Sequence, residues 1–152
     1  MIGLSTATWA LMVATLGMTA IASVGCYQAL FVFPEYFSAP PASLRRYQSD
    51  TSWKFWLPVH VVTLAALVTT LITNGSSNRF GLMLVATACY AAAWIATAIW
   101  FIPGVIEFNK VDVDGPASPE LAERGRRWQR QSVSRLVLLL AAAVLLTISL
   151  GG

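Results

Sequence analysis

The stretch WFIPGVIEFNKVDVDGPASPELAERGRRWQRQSVSRLVLL, residues 100–139, decides the fold of this chain. An apolar run ends at Pro103 and Gly104, a polar excursion follows, and a second apolar run opens near Val133 and continues to Leu150. Ser118, Pro119 and Glu120 form a helix-start signal: a capping hydroxyl, a residue whose missing N–H costs nothing in a first turn, and an acid at the positive end of the dipole. A helix beginning there enters the apolar run without a break. Five of the ten basic residues lie between Arg124 and Arg135. Arg135 is already inside the apolar run, where a charge needs either a partner or an exit to the interface.

The run ending at Pro103 and Gly104 is charge-free from Phe80 to Gly104, and two more charge-free stretches extend from Met1 to Pro34 and from Phe55 to Asn78. A hydrocarbon layer of about 30 Å takes about 20 helical residues, so each stretch is long enough to span it. With 57% hydrophobic and 11% charged residues in 152, the composition is far from that of a soluble domain. The pattern predicts an all-α, integral membrane four-helix bundle. It is read as one transmembrane domain over residues 1–152, with spans at about 7–33, 55–74, 80–102 and 133–150 and loops at about 34–54 and 103–132. The fourth helix extends beyond the membrane into the cytoplasm. The first run has no basic residue before it and is longer than a cleavable signal, so it is read as a retained helix.

Four spans put nine of the ten basic residues on the side of the two long loops and leave Arg79 alone on the other. The positive-inside rule then places the loops in the cytoplasm and both termini outside, as in a bacterial-type inner membrane. The net charge of +3 is an orientation signal and argues against a nucleic-acid partner. Arg124, Arg126, Arg127 and Arg130 spread around the pre-membrane turns, where anionic headgroups of membrane lipid are their natural neighbours. Assembly into a homo-oligomer is left open. Cys26 and Cys89 read as small apolar fillers. No metal is assigned, because Asp112 and Asp114 lack the length and further ligand of a calcium loop. A haem held by His60 and Met83 finds no paired-ligand motif.

Helical spacing sorts the spans into faces. Thr19, Ser23, Cys26, Tyr27 and Leu30 form a face of mostly small and polar residues suited to close packing, and Pro34 ends the first helix. In the second, which begins near Trp56 with Pro58 in its first turn, His60, Thr63, Leu67 and Thr70 share a stripe. Ala86, Tyr90, Ala93, Thr97 and Trp100 share one in the third, and Leu121, Trp128, Gln131, Ser132, Arg135, Ala142 and Ser149 one in the fourth. The segment between the first two spans, with Tyr36, Phe37, Tyr47 and Trp53, either folds back as a cap over the bundle or lies on the surface. His60, Glu107, Asn109, Gln131 and Arg135 then converge at the cytoplasmic mouth, bounded by Trp56, Tyr90, Trp94, Trp100 and Trp128. Arg135 is expected to form a structural ion pair with Glu107 or Glu35.

A helix ending in FIPGVIEFN, a polar loop, and GRRWQRQSVSR leading into a final apolar helix together resemble the four-helix membrane family that includes the fungal anthrone oxygenases. The resemblance covers about the C-terminal third of the chain; FPEYFSAPPASL and SWKFWLPVH lie outside it. It implies a monooxygenase-type oxidoreductase that converts an electron-rich polycyclic anthrone to a quinone with dioxygen and without a cofactor. By position it carries the family's asparagine, tryptophan and arginine onto Asn109, Trp128 and Arg135. In such a reaction His60 would act as base, Arg135 and Asn109 would hold the enolate and peroxide charge, and Trp56, Tyr90, Trp94, Trp100, Trp128 and Gln131 would bind the rings. The alternative is a non-enzymatic bundle that binds a lipophilic molecule, lipid or a partner membrane protein.

Overall fold

The computed structural model describes residues 5–151, and among them all regular structure is helical. Four helices are long and apolar enough to cross a membrane: Thr6–Tyr36, Trp53–Thr73, Phe80–Asn109 and Pro119–Leu150. A short helix, Leu44–Gln48, lies between the first two. The first long helix packs against the second and the fourth, and the third against the fourth, while the second and third meet only sparsely. Met18, Ile21, Leu67, Met83, Tyr90 and Leu146 fill the shared apolar core.

The packing face of the first helix is not the one its small polar residues indicate. Thr19, Ser23, Tyr27 and Leu30 are exposed, and Ala14, Met18, Ile21 and Ala22 are buried instead. The inward face wins because it pairs bulky fillers with Gly17, at which an added Cβ would overlap the Thr63 hydroxyl. Thr63 in turn donates to the Val59 carbonyl at 2.7 Å, and Thr15 to Leu11 at 2.8 Å, so these hydroxyls are satisfied within their own helices. In the second helix the stripe of Thr63, Leu67 and Thr70 is buried as its spacing predicts. That helix starts at Trp53, which places Pro58 inside it and not in its first turn.

Both expected stops at proline are overrun. The first helix continues to Tyr36 and the third to Asn109, each passing through a widened π-type turn, Gln28–Val32 and Thr97–Phe101. Each turn lies just before a proline, Pro34 or Pro103. Proline has no N–H for the carbonyl four residues back and its ring crowds that carbonyl. The helix widens to relieve it: Phe33 N–H bonds to the Gln28 carbonyl and Ile102 N–H to that of Thr97. One extra residue in a turn rotates everything beyond it by about 100°. Trp100 is therefore 50% exposed on the outer surface, and Phe101 takes the inward place predicted for it.

At the loop-bearing end the segment after Phe37 folds back as a cap. Ser43 Oγ donates to the Tyr36 carbonyl at 2.8 Å, and Gln48 Nε2 donates to the carbonyls of Phe108 and Val111 at 3.1 and 2.9 Å. A second apolar cluster forms beneath it from Phe33, Tyr36, Leu44, Tyr47, Phe108 and Trp128. Ser118 caps the last helix as predicted, accepting from Leu121 N–H at 3.2 Å. At the opposite end Asn74 Nδ2 donates to the Ala7 carbonyl at 3.4 Å and Arg79 Nη1 to the Ile148 carbonyl at 2.5 Å.

Gly17→Ala is expected to push the first and second helices apart and to lower unfolding stability in detergent by about 1–3 kcal/mol. Gly81→Ala, where a Cβ meets nothing within 4 Å, is expected to leave it unchanged or raised, because alanine is the better helix former. Thermal unfolding of the two variants followed side by side by circular dichroism checks the pair.

Candidate functional site

A cavity of about 420 Å³ lies between the loop-bearing ends of the four helices and under the cap. Every element contributes to its wall: Phe33 from the first helix, Tyr47 from the cap, Trp56 and His60 from the second, Thr97 and Phe101 from the third, Trp128 and Arg135 from the fourth. Its volume falls within the range of about 300–1,000 Å³ usual for small-molecule sites.

His60 sits in an aromatic box. Its ring stacks on Trp56 at 5.7 Å between centroids and meets the edge of Trp94 at 5.1 Å. Tyr90 is 1% exposed and lies behind it, with its hydroxyl 2.9 Å from Nδ1 and 3.2 Å from the His60 carbonyl. The phenol has one proton. If it is donated to the carbonyl, the phenol oxygen accepts from Nδ1–H, and Nε2 becomes the lone-pair nitrogen; this tautomer is assigned from the bonding pattern. Among the described residues Nε2 has no hydrogen-bond partner.

Arg135 is the unusual charge. Its guanidinium lies 4.1 Å from the centroid of the Phe101 ring, and Nη1 donates to Thr97 Oγ1 at 3.1 Å. Among the described residues its buried Nε has no hydrogen-bond partner and its guanidinium forms no salt bridge. The expected ion pair with Glu35 or Glu107 is therefore corrected: Glu35 pairs with Arg46 and Glu107 with Arg124, all four side chains well exposed. Exposed pairing avoids the desolvation that would be needed to bring a carboxylate in to Arg135. A cation over an aromatic face recovers part of the lost hydration, but no anion among the described residues neutralises it.

The cap brings in two groups that helical spacing does not reveal. Asp50 lines the cavity, with Oδ1 accepting from Ser52 N–H at 2.7 Å and Oδ2 from the Ser52 and Tyr36 hydroxyls at 2.9 and 3.1 Å. Tyr47 also lines it, and its buried hydroxyl has no partner among the described residues. Burial, reinforced by the negative charge of Asp50, pushes that phenol above the ordinary tyrosine range. Outside the cavity the basic run is largely accounted for. Arg126 and Arg130 share Glu123, and the Arg126 hydrogen bond leads in holding that carboxyl below its usual range.

Of the residues selected from sequence, His60, Arg135, Trp56, Trp94, Trp128 and Asn109 all line this one cavity. Asn109 is exposed at its rim and is not the neighbour of Arg135 that was expected. It stands twelve residues beyond Thr97, the group that does contact Arg135, which is about 18 Å along the helix. Tyr90 stands behind His60, and Trp100 and Gln131 are outside the wall. Gln131 directly precedes Ser132, which takes the buried position on that face. Phe101 reaches the wall through the widened turn before Pro103, which proline alone does not announce, since the second helix passes Pro58 without one. Trp128 depends on Gly104, where a Cβ would strike its indole. Comparison with protein families, characterised proteins and solved structures gives no match. Among the described residues no cluster of His, Cys, Asp and Glu is suited to hold a metal ion.

Arg135→Met is expected to keep or raise thermal stability, since it replaces a half-buried charge that has no salt bridge among the described residues with an apolar chain of similar length. Lower stability would show that the guanidinium serves packing, and thermal unfolding in detergent reads the sign directly.

Proposed function

We propose that the chain is an integral membrane four-helix bundle, with the capped end at the cytoplasmic face, whose cavity binds a flat lipophilic aromatic molecule carrying an acidic proton and oxidises it with dioxygen. One observation carries the reading. A guanidinium with no counter-ion among the described residues shares an aromatic-walled cavity with the single histidine of the chain. The resemblance of residues 100–139 to the anthrone oxygenase family points to the same chemistry. The substrate enters from the lipid through the sparse seam between the second and third helices, where Trp94 is 40% exposed.

In the reaction His60 Nε2 takes a proton from the ring methylene, and the electron pair moves onto the carbonyl oxygen beside Arg135. A group placed to take up that charge contributes most when it is already oriented in a water-poor site. The enolate passes one electron to dioxygen, and recombination of the two radicals forms the new C–O bond as a peroxide. The imidazolium returns its proton to the outer oxygen. Loss of the second methylene hydrogen as a proton to His60, with cleavage of the O–O bond, leaves a carbonyl and releases water. The methylene thus loses two hydrogens and gains one oxygen atom, and the other oxygen of dioxygen departs with both hydrogens. Tyr90 acts through His60 as a positioning residue, by holding Nδ1.

Purified protein in detergent should oxidise anthrone to anthraquinone in air, as followed by absorbance, and not under nitrogen. His60→Ala and Arg135→Ala are each expected to slow turnover by about 100-fold or more. Tyr90→Phe should lower kcat by about tenfold with little change in KM. Wild-type rates in both alanine variants would exclude this mechanism. Tight binding of anthrone without turnover by the unaltered protein would establish the binding module instead, a role that an anion beside Arg135 also satisfies.

A further inference from the structure

Three buried side-chain polar atoms among the described residues have no hydrogen-bond partner: Tyr47 Oη, Thr70 Oγ1 and Arg135 Nε. Thr70 lies in the helix core away from the cavity, but the other two belong to residues that line it. They sit at different depths. Arg135 is fixed against Thr97 of the third helix at 3.1 Å, whereas Tyr47 packs on Phe108 with ring centroids 6.0 Å apart. Phe108 is eleven residues beyond Thr97, about 16 Å along the helix axis. Trp128 and Phe101, stacked at 4.5 Å, fill the interval with aromatic surface.

A buried polar group without a partner is costly, and two such groups on residues that line one cavity mark the side chains to which a ligand can supply partners. We propose that the ligand is an elongated, flat anion read at both ends, with its anionic oxygen at Arg135 and a second oxygen, a hydroxyl or carbonyl at the far end, at the Tyr47 hydroxyl. This rests on the reading of the cavity as a ligand site. It makes Tyr47 a specificity-determining residue and the short helix Leu44–Gln48 a part of the binding site. It concerns recognition alone and involves no turnover.

The test uses two non-oxidised probes, anthracene-2-carboxylate and 6-hydroxyanthracene-2-carboxylate, which differ only in an oxygen at the far end of the long axis. Binding to the full chain in detergent is read by quenching of tryptophan emission. The unaltered protein is expected to bind the hydroxylated probe about tenfold more tightly. Tyr47→Phe should abolish that preference while keeping the affinity for the parent carboxylate, and Arg135→Gln should weaken both probes by tenfold or more. Binding of both probes without preference by the unaltered protein, or a preference that survives in Tyr47→Phe, overturns the role of Tyr47 and leaves the ligand site standing. Binding of neither probe overturns the ligand site as well.

Discussion

The loop-bearing end of the molecule is organised by the indole of Trp128. It stacks on Phe101 at 4.5 Å, meets Phe33 at 4.9 Å, and lies within 6.2 Å of Tyr47, so one side chain joins the first helix, the cap, the third helix and the fourth. Its Nε1–H donates to the Phe101 carbonyl at 3.3 Å, at the end of the widened turn. The contact needs Gly104 opposite, because any Cβ there would occupy the volume of the ring. Gly125, one turn before Trp128 on the same helix, makes equivalent room for Phe37. Aromatic contacts of this kind add to the apolar area they bury. Here they hold a folded-back segment over a cavity that would otherwise lie open to solvent.

The two widened turns account for the shape of that cavity. They occur in the first and third helices, each immediately before a proline, and both contribute lining residues. The extra residue in the third helix turns Phe101 inward beneath the Arg135 guanidinium and leaves Thr97 to accept its hydrogen bond. The same rotation puts Phe108 inside and Glu107 outside. Glu107 is thereby left to Arg124, and Arg135 is left without an anion among the described residues. A single backbone irregularity thus bears on both the aromatic wall and the unneutralised charge, the two features on which the proposed chemistry relies.

How much of this was legible depended on the residue. The stripe of His60, Thr63, Leu67 and Thr70 follows regular spacing in an uninterrupted helix, and it faces inward as its spacing indicates. Arg135 and Trp128, seven residues apart on one regular helix, share a face for the same reason. Trp100 was misplaced because a period of 3.6 was carried through a turn that does not keep it. The first helix was misjudged because small residues occur on two of its faces, and only the neighbour's shape selects between them. Tyr47 and Asp50 were out of reach, since no periodicity relates a folded-back segment to the helices beneath it.

By itself the sequence determined the all-helical class, the four apolar helices, the cap at Ser118 and the crowding of charge at one end. Each of these follows from local chemistry: run length, a capping hydroxyl, and where basic residues occur along the chain. Only the tertiary structure decided which faces meet, which carboxylate goes to which arginine, and which groups the cap adds to the cavity. Those outcomes turn on competition between distant partners, and on a one-residue change of register that rotates every side chain beyond it.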